Sequence, residues 1–161
     1  MVYVRPLLEY SSQIWSPSLI TLINEIEKVQ KKFTKRLPGL QNLNYCERLQ
    51  ILKLKSLEHR RLIIDLVTCY NIIHNNIIIT RNNFFTFSTS TNLRGHPFRL
   101  SIPIIKNNTH RSFFSVRTIK IWNALPTEIV TAKNINIFKT RLNQHDLSKF
   151  LIGPSYSLRP Q

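Results

Sequence analysis

The sequence predicts a mainly α fold: a helical bundle, then a loop-rich segment with a candidate edge strand, then C-terminal helices. Three observations lead there. Apolar residues recur at helical spacing along residues 16–36, 57–73 and 134–142. Helix-starting side chains stand where each of those stretches begins, Ser16, Ser56 and Asn134. Only one short segment, residues 98–104, alternates with the period of a strand.

In residues 1–15, MVYVRPLLEYSSQIW, Pro6 suits the first turn of a helix through Leu7, Leu8, Tyr10 and Ile14 to Trp15. This apolar opening needs a covering partner from its first residue. Ser16-Pro17 predicts the next start, with Ser16 as N-cap and Pro17 in the first helical position, and the helix runs to about Arg36. Leu19, Leu22, Ile23, Ile26, Val29 and Phe33 form its apolar stripe; Lys28, Lys31, Lys32, Lys35 and Arg36 form a second stripe, expected opposite. Pro38-Gly39 ends it.

Residues 44–75 are the stretch around which the chain is organised: a short helix, a break at Lys55-Ser56 and a long helix. Asn44 lies three residues before Glu47, the spacing of a capping box, and Ser56 is placed to cap the long helix. Leu62, Ile63, Leu66, Val67, Cys69, Tyr70 and Ile73 give that helix a wide apolar side. Arg61 and Asp65 stand at i,i+4, so Arg60-Arg61 reads either as a salt-bridged rim or as a phosphate-contacting pair.

From Asn75 the composition shifts to Asn, Ile, Phe, Ser and Thr without helical period, which predicts a loop. Phe98, Leu100, Ile102 and Ile104 then alternate with Arg99 and Ser101, and Pro103 confines this strand to an edge. In residues 109–126, THRSFFSVRTIKIWNALP, Leu125-Pro126 supplies a helix stop. Its aromatics, set among Arg111, Arg117 and Lys120, read either as an anchor docking on the core or as base-stacking groups. Asn134 caps a last helix with Ile135, Phe138 and Leu142 on one face. The organisation expected is 1–75 helical, 76–110 connector, 111–150 C-terminal helices and 151–161 a disordered tail.

A chain of 161 residues is one domain by length and can bury about 70% of its unfolded surface. Lys plus Arg number 23 against 8 Asp plus Glu, a net charge of +15 spread over both halves, which favours a polyanion and most of all nucleic acid. No apolar run has membrane-spanning length, and the N-terminus lacks a secretory pattern, so an intracellular protein is expected, nuclear or cytoplasmic. Cys46 and Cys69 read as small buried hydrophobes, and the five histidines are scattered, so neither a disulfide nor a metal site is expected. Three glycines leave no phosphate loop. Asp65 and Asp146 are the only aspartates, neither has a carboxylate neighbour in sequence for a two-metal site, and no nucleophile elbow occurs. A non-catalytic chain without cofactor or small-molecule ligand follows. The candidate nucleic-acid contacts are Lys28, Lys31, Lys32, Lys35 and Arg36, with Arg60 and Arg61 as a secondary pair.

Several blocks, in this order, resemble a known family. They are Tyr3-Val4-Arg5-Pro6-Leu7-Leu8-Glu9-Tyr10, Trp15-Ser16-Pro17, Glu27-Lys28-Val29-Gln30 and Phe33-Thr34-Lys35-Arg36. Next come Tyr45 with Glu47-Arg48-Leu49, Leu52 with Leu54, Ser56-Leu57-Glu58 and Arg60-Arg61 with Asp65-Leu66. Phe113-Phe114-Ser115 with Arg117, Trp122-Asn123, Leu125-Pro126 and Phe138-Lys139 complete the set. From Tyr3 to about Leu142 the chain resembles the region after the palm in reverse transcriptases of non-long-terminal-repeat retrotransposons, including the jockey-like elements. The resemblance implies a thumb with a C-terminal extension, which holds template RNA and nascent DNA while the palm, upstream of Met1, carries the polymerase aspartates. The missing upstream region is then a further expected partner. Two other readings stay open: a non-functional remnant of a truncated element, and a module that docks on an intact element protein.

Overall fold

The computed structural model describes residues 4–89 and 95–153. The fold is mainly helical, and the described residues contain no strand. Two compact units divide the chain: residues 1–62 with 147–161, and residues 63–146.

The first unit contains α1 (Val4–Glu9), α2 (Ser12–Trp15), α3 (Ile20–Lys35), α4 (Tyr45–Ile51) and the start of α5 (Leu57–Ile73). The single opening helix expected after Pro6 is broken at Ser11, whose backbone is left-handed at φ 51°. The predicted start of α3 is also corrected. Ser16 and Pro17 lie in the link after α2, and the helix begins at Ile20 after Leu19, with no side-chain cap. The expected caps of α4 and α5 are present: Glu47 N–H donates to Asn44 Oδ1 at 3.0 Å, Glu47 returns the box to Asn44 N–H, and His59 N–H donates to Ser56 Oγ at 3.2 Å.

What α3 turns inward is mostly polar. Ile23, Glu27, Gln30 and Thr34 are its buried residues, whereas Leu19, Leu22 and Val29, expected in the core, are exposed, Leu22 by 49%. Hydrogen bonding sets this roll. Glu27 accepts from Leu57 N–H at the start of α5 (2.9 Å) and from the Tyr45 hydroxyl of α4. Gln30 Nε2 donates to Tyr45 Oη (3.0 Å) and Lys55 O (3.1 Å), and Arg48 Nε donates to Thr34 Oγ1 (3.2 Å). Rolling the apolar stripe inward would strand these buried groups at roughly 1–3 kcal/mol each. At the C-terminal end, Glu58 accepts from Ile152 N–H (2.7 Å) and Gly153 N–H (3.0 Å). A Cβ at Gly153 would stand 2.7 Å from Glu58 Oε2, so a larger residue there would displace that carboxylate from its two amides. Residues 151–153, counted with the expected disordered tail, are thus tied down; residues 154–161 lie outside the described residues.

In the second unit, the rest of α5 is joined by α6 (Asn108–Ser112), α7 (Phe114–Asn123), α8 (Thr127–Val130) and α9 (Ile135–Gln144). Asn134 caps α9 as expected, accepting from Ile137 N–H at 2.9 Å. Trp122 and Phe138 are fully buried, Phe138 stacks on Tyr70 with ring centroids 4.4 Å apart, and the Tyr70 hydroxyl donates to Ala132 O at 2.6 Å. The helix expected over residues 109–126 is broken at Phe113, and Trp122 has the core role among its aromatics.

The edge strand expected at residues 98–104 is absent; a single antiparallel bridge joins Phe87 to Leu100. Ser88 N–H donates to Arg99 O at 2.9 Å and Ser101 N–H to Thr86 O at 2.8 Å on one edge, and Asn123 takes the opposite edge. Its side chain accepts from Leu100 N–H and donates to Leu100 O, both at 2.8 Å, taking the pair of bonds that a neighbouring strand would have made.

Two stability predictions follow from these buried polar groups. Replacing Glu27 by Ala should cost about 3 kcal/mol in urea unfolding, and replacing it by Gln distinctly less, because glutamine still accepts from Leu57 N–H. Burial pushes the Glu27 carboxyl up, against the pull of Tyr45, the Leu57 amide and Arg61. The folded state therefore keeps this proton to higher pH than the unfolded chain, and stability relative to the Gln variant should fall as pH rises from about 4.5 through the folded value. Costs below about 0.5 kcal/mol for both variants would show that Glu27 is not the hub.

His96 titrates with the opposite sign. It is buried with Nε2 3.0 Å from Trp122 O, and burial pushes its pKa below the usual 6.5. The unfolded chain takes up this proton first, so stability present above pH 6.5 should be lost as pH falls. His96→Gln should flatten that acid limb in a pH series of thermal unfolding; an unchanged limb would assign it to other groups.

Candidate nucleic-acid interface

On α3, at about 100° per residue, the side chains fall into three sectors. One is the buried polar sector, one the apolar ridge of Leu19, Leu22, Ile26, Val29 and Phe33, and one the cations. Ridge and cations lie roughly 120° apart around the helix rather than on opposite sides. Lys28, Lys32, Lys35 and Arg36 are exposed. Lys28 also pairs with Glu25, but both side chains are more than half exposed, so the pair is weak and screened. Lys31 leans inward: it is half-buried, with its Nζ 5.3 Å from the centre of the Tyr45 ring. From Lys28 to Arg36 the helix rises about 12 Å. That length matches roughly three phosphates of one strand of a duplex, at about 3.4 Å of axis each.

The secondary pair does not join this row as expected. Arg60 makes a two-pronged contact with Glu9, its Nη2 donating to Glu9 Oε2 at 2.7 Å, which raises its pKa further. Arg61 is only 2% exposed; it faces the Trp15 ring with its guanidinium 5.8 Å from the ring centre, and its charge acts on Glu27. A guanidinium so enclosed is not presented to a phosphate, so Arg61 is corrected from a contact to a core residue. The solvated rim is corrected with it, since Asp65 is buried as well. Asp65 is bound by Arg117, whose Nε and Nη2 donate to its two oxygens at 2.9 and 3.0 Å.

Sequence reasoning missed Arg48, a buried guanidinium that donates to Leu43 O as well as Thr34, and it missed the exposure of the α3 ridge. Only the polar residues inside the stripe hinted at either. Among the described residues no group of three His, Cys, Asp or Glu side chains is placed to hold a metal ion. No described helix is long and apolar enough to cross a membrane.

Comparison with known proteins adds little. No family model matches the chain, and no solved structure does. A Caenorhabditis elegans protein described as "Uncharacterized protein B0403.1" is similar, at 33% identity over 75 residues. That match takes in 45% of this chain and 38% of the relative, so the chain spans well under half of that protein's length.

The two arginine environments separate in one experiment. Arg61→Leu should lower stability by about 3 kcal/mol, since it removes the charge facing buried Glu27. Arg36→Gln should leave the unfolding midpoint within about 0.5 kcal/mol. Urea titration of both variants is the measurement, and an unaffected Arg61→Leu protein would return that residue to the exposed set.

Proposed function

We propose that this chain is the C-terminal, thumb-like part of a retrotransposon-type reverse transcriptase, which binds template and primer nucleic acid and leaves polymerase chemistry to a palm elsewhere. The row of exposed cations on α3 carries this reading: Lys28, Lys32, Lys35 and Arg36, four charges on one rigid helix, suit a sugar-phosphate backbone. The ordered blocks from Tyr3 to about Leu142 support it. So does the use made of the carboxylates, since Glu9, Glu27, Glu47, Glu58 and Asp65 each hold a structural contact.

The docking reading is favoured by a separate observation. Leu7, Tyr10 and Ile14 of the α1–α2 segment and Leu19, Leu22 and Val29 at α3 are exposed within one unit. Six large apolar side chains exposed in one unit suit covering by another polypeptide. The remaining polymerase region suits that place.

Fluorescence anisotropy of labelled RNA–DNA duplex across a potassium chloride series tests the nucleic-acid reading. Affinity should fall steeply with salt and depend little on sequence. The Lys28→Gln, Lys32→Gln, Lys35→Gln triple variant should flatten the slope of log affinity against log salt by roughly two to three, at about 0.9 per duplex phosphate. An unchanged slope in a folded triple variant would move the binding surface off α3.

A further inference from the structure

The second unit has an electrostatic peculiarity of its own. Between Asp65 and Glu128 the chain contains no carboxylate, while Arg81, Arg94, Arg99, Lys106, Arg111, Arg117 and Lys120 all fall in that interval. Arg117 is engaged by Asp65, but Lys106, Arg111 and Lys120 are exposed. Within this interval stands an aromatic residue that the core does not use. Phe114 packs against Phe85 and Phe84, with ring centroids 5.8 and 6.4 Å apart, whereas neighbouring Phe113 is 55% exposed.

Phe113 is held in place. It closes the turn of α6, its N–H donating to His110 O at 3.2 Å, and the His110 ring meets its ring edge-on at 5.8 Å. Asn107 fixes the other end of that turn by accepting from His110 N–H at 2.7 Å, and Lys106 N–H donates to His110 Nδ1 at 3.4 Å. Lys106, Arg111 and Phe113 are thereby held on one short, braced turn.

We propose that Phe113 is a stacking platform for an unpaired base, with Lys106 and Arg111 taking the phosphates beside it, so that the second unit binds single-stranded nucleic acid. An exposed ring offers a π-face that any base can use, and cations without competing acids retain the backbone. Bases inside a duplex keep their faces stacked on one another, so this patch prefers a single strand, in contrast to the row on α3. The inference rests on the proposed function only for the class of ligand; its residues, unit and strand preference are separate.

The experiment uses the full chain with labelled 20-nucleotide single strands and duplexes at fixed salt. Phe113→Ala should weaken single-strand binding on the order of 5- to 150-fold, the range for one lost stacking contact, with duplex affinity and the salt slope unchanged. Because Phe113 is exposed, the thermal midpoint should hold, and Phe113→Tyr should restore binding. Arg111→Gln should lower the single-strand salt slope by about 0.7. Unaltered single-strand affinity in folded Phe113→Ala, with the α3 triple variant still flattening the duplex slope, would overturn this inference and leave the proposed function standing. Equal loss on duplex and single strand, or an equal loss of binding to polyglutamate, would also overturn it, the latter by pointing to an acidic protein partner. No binding of wild-type chain to any nucleic acid at low salt would remove both.

Discussion

The first unit depends on the carboxylate of Glu27. Helix α5 begins with amide groups that need acceptors, and Glu27 reaches across from α3 to take the one at Leu57 while the Tyr45 hydroxyl of α4 donates to it. Three helices thus meet on one side chain. Burial still outweighs these donors and pushes the carboxyl up, while they and Arg61 offset part of the cost of removing it from water. Once Glu27 points inward, the roll of α3 is fixed: Ile23, Gln30 and Thr34 follow it in, and the apolar ridge and the lysines are left outside.

The same constraint sorts the positive charge. A net charge of +15 suggests a uniform field, yet the arginines and lysines have separate duties. Arg48 and Arg61 are buried, Arg60 grips Glu9 and Arg117 grips Asp65, while Lys28, Lys32 and Lys35 face solvent. A planar, weakly hydrated guanidinium with several donors suits enclosed, two-pronged contacts, and a strongly hydrated ammonium on a flexible stem suits the outside. The enclosed and two-pronged contacts named here are made by arginine, although Arg36 and Arg111 stand exposed like the lysines.

What the sequence disclosed was local. The caps at Asn44, Ser56 and Asn134 were legible because each bond spans three residues, and so was the helix stop near Leu125-Pro126. What it hid was carried by distant partners. Glu27 and Leu57 are 30 residues apart, and Asp65 and Arg117 are 52 apart, so neither contact shows in a local pattern. Strand alternation at residues 98–104 overstated the pairing: Arg99 and Ser101 bond the facing Ser88 and Thr86 in a single bridge, and the side chain of Asn123 occupies the other edge at Leu100. For the candidate interface, the α3 lysines could be read from periodicity, whereas the exclusion of Arg61 needed its surroundings.

The arrangement on α3 has one more consequence. Its buried sector locks the helix to α4 and α5, so the ridge and the cation row cannot turn independently; each is fixed relative to the other by a single straight helix. On the proposed reading, one outward sector is held by the rest of a polymerase and the adjacent sector holds the backbone of its template and primer. The roughly 120° between them then acts as a rigid gauge, setting where phosphates lie with respect to whatever covers Leu22 and Val29. A looser helix with a wholly apolar buried face could have packed as well, but it would have tolerated several rolls. Polar bonds at Glu27, Gln30 and Thr34 permit only one, and a template-holding element needs that fixed geometry more than it needs extra stability.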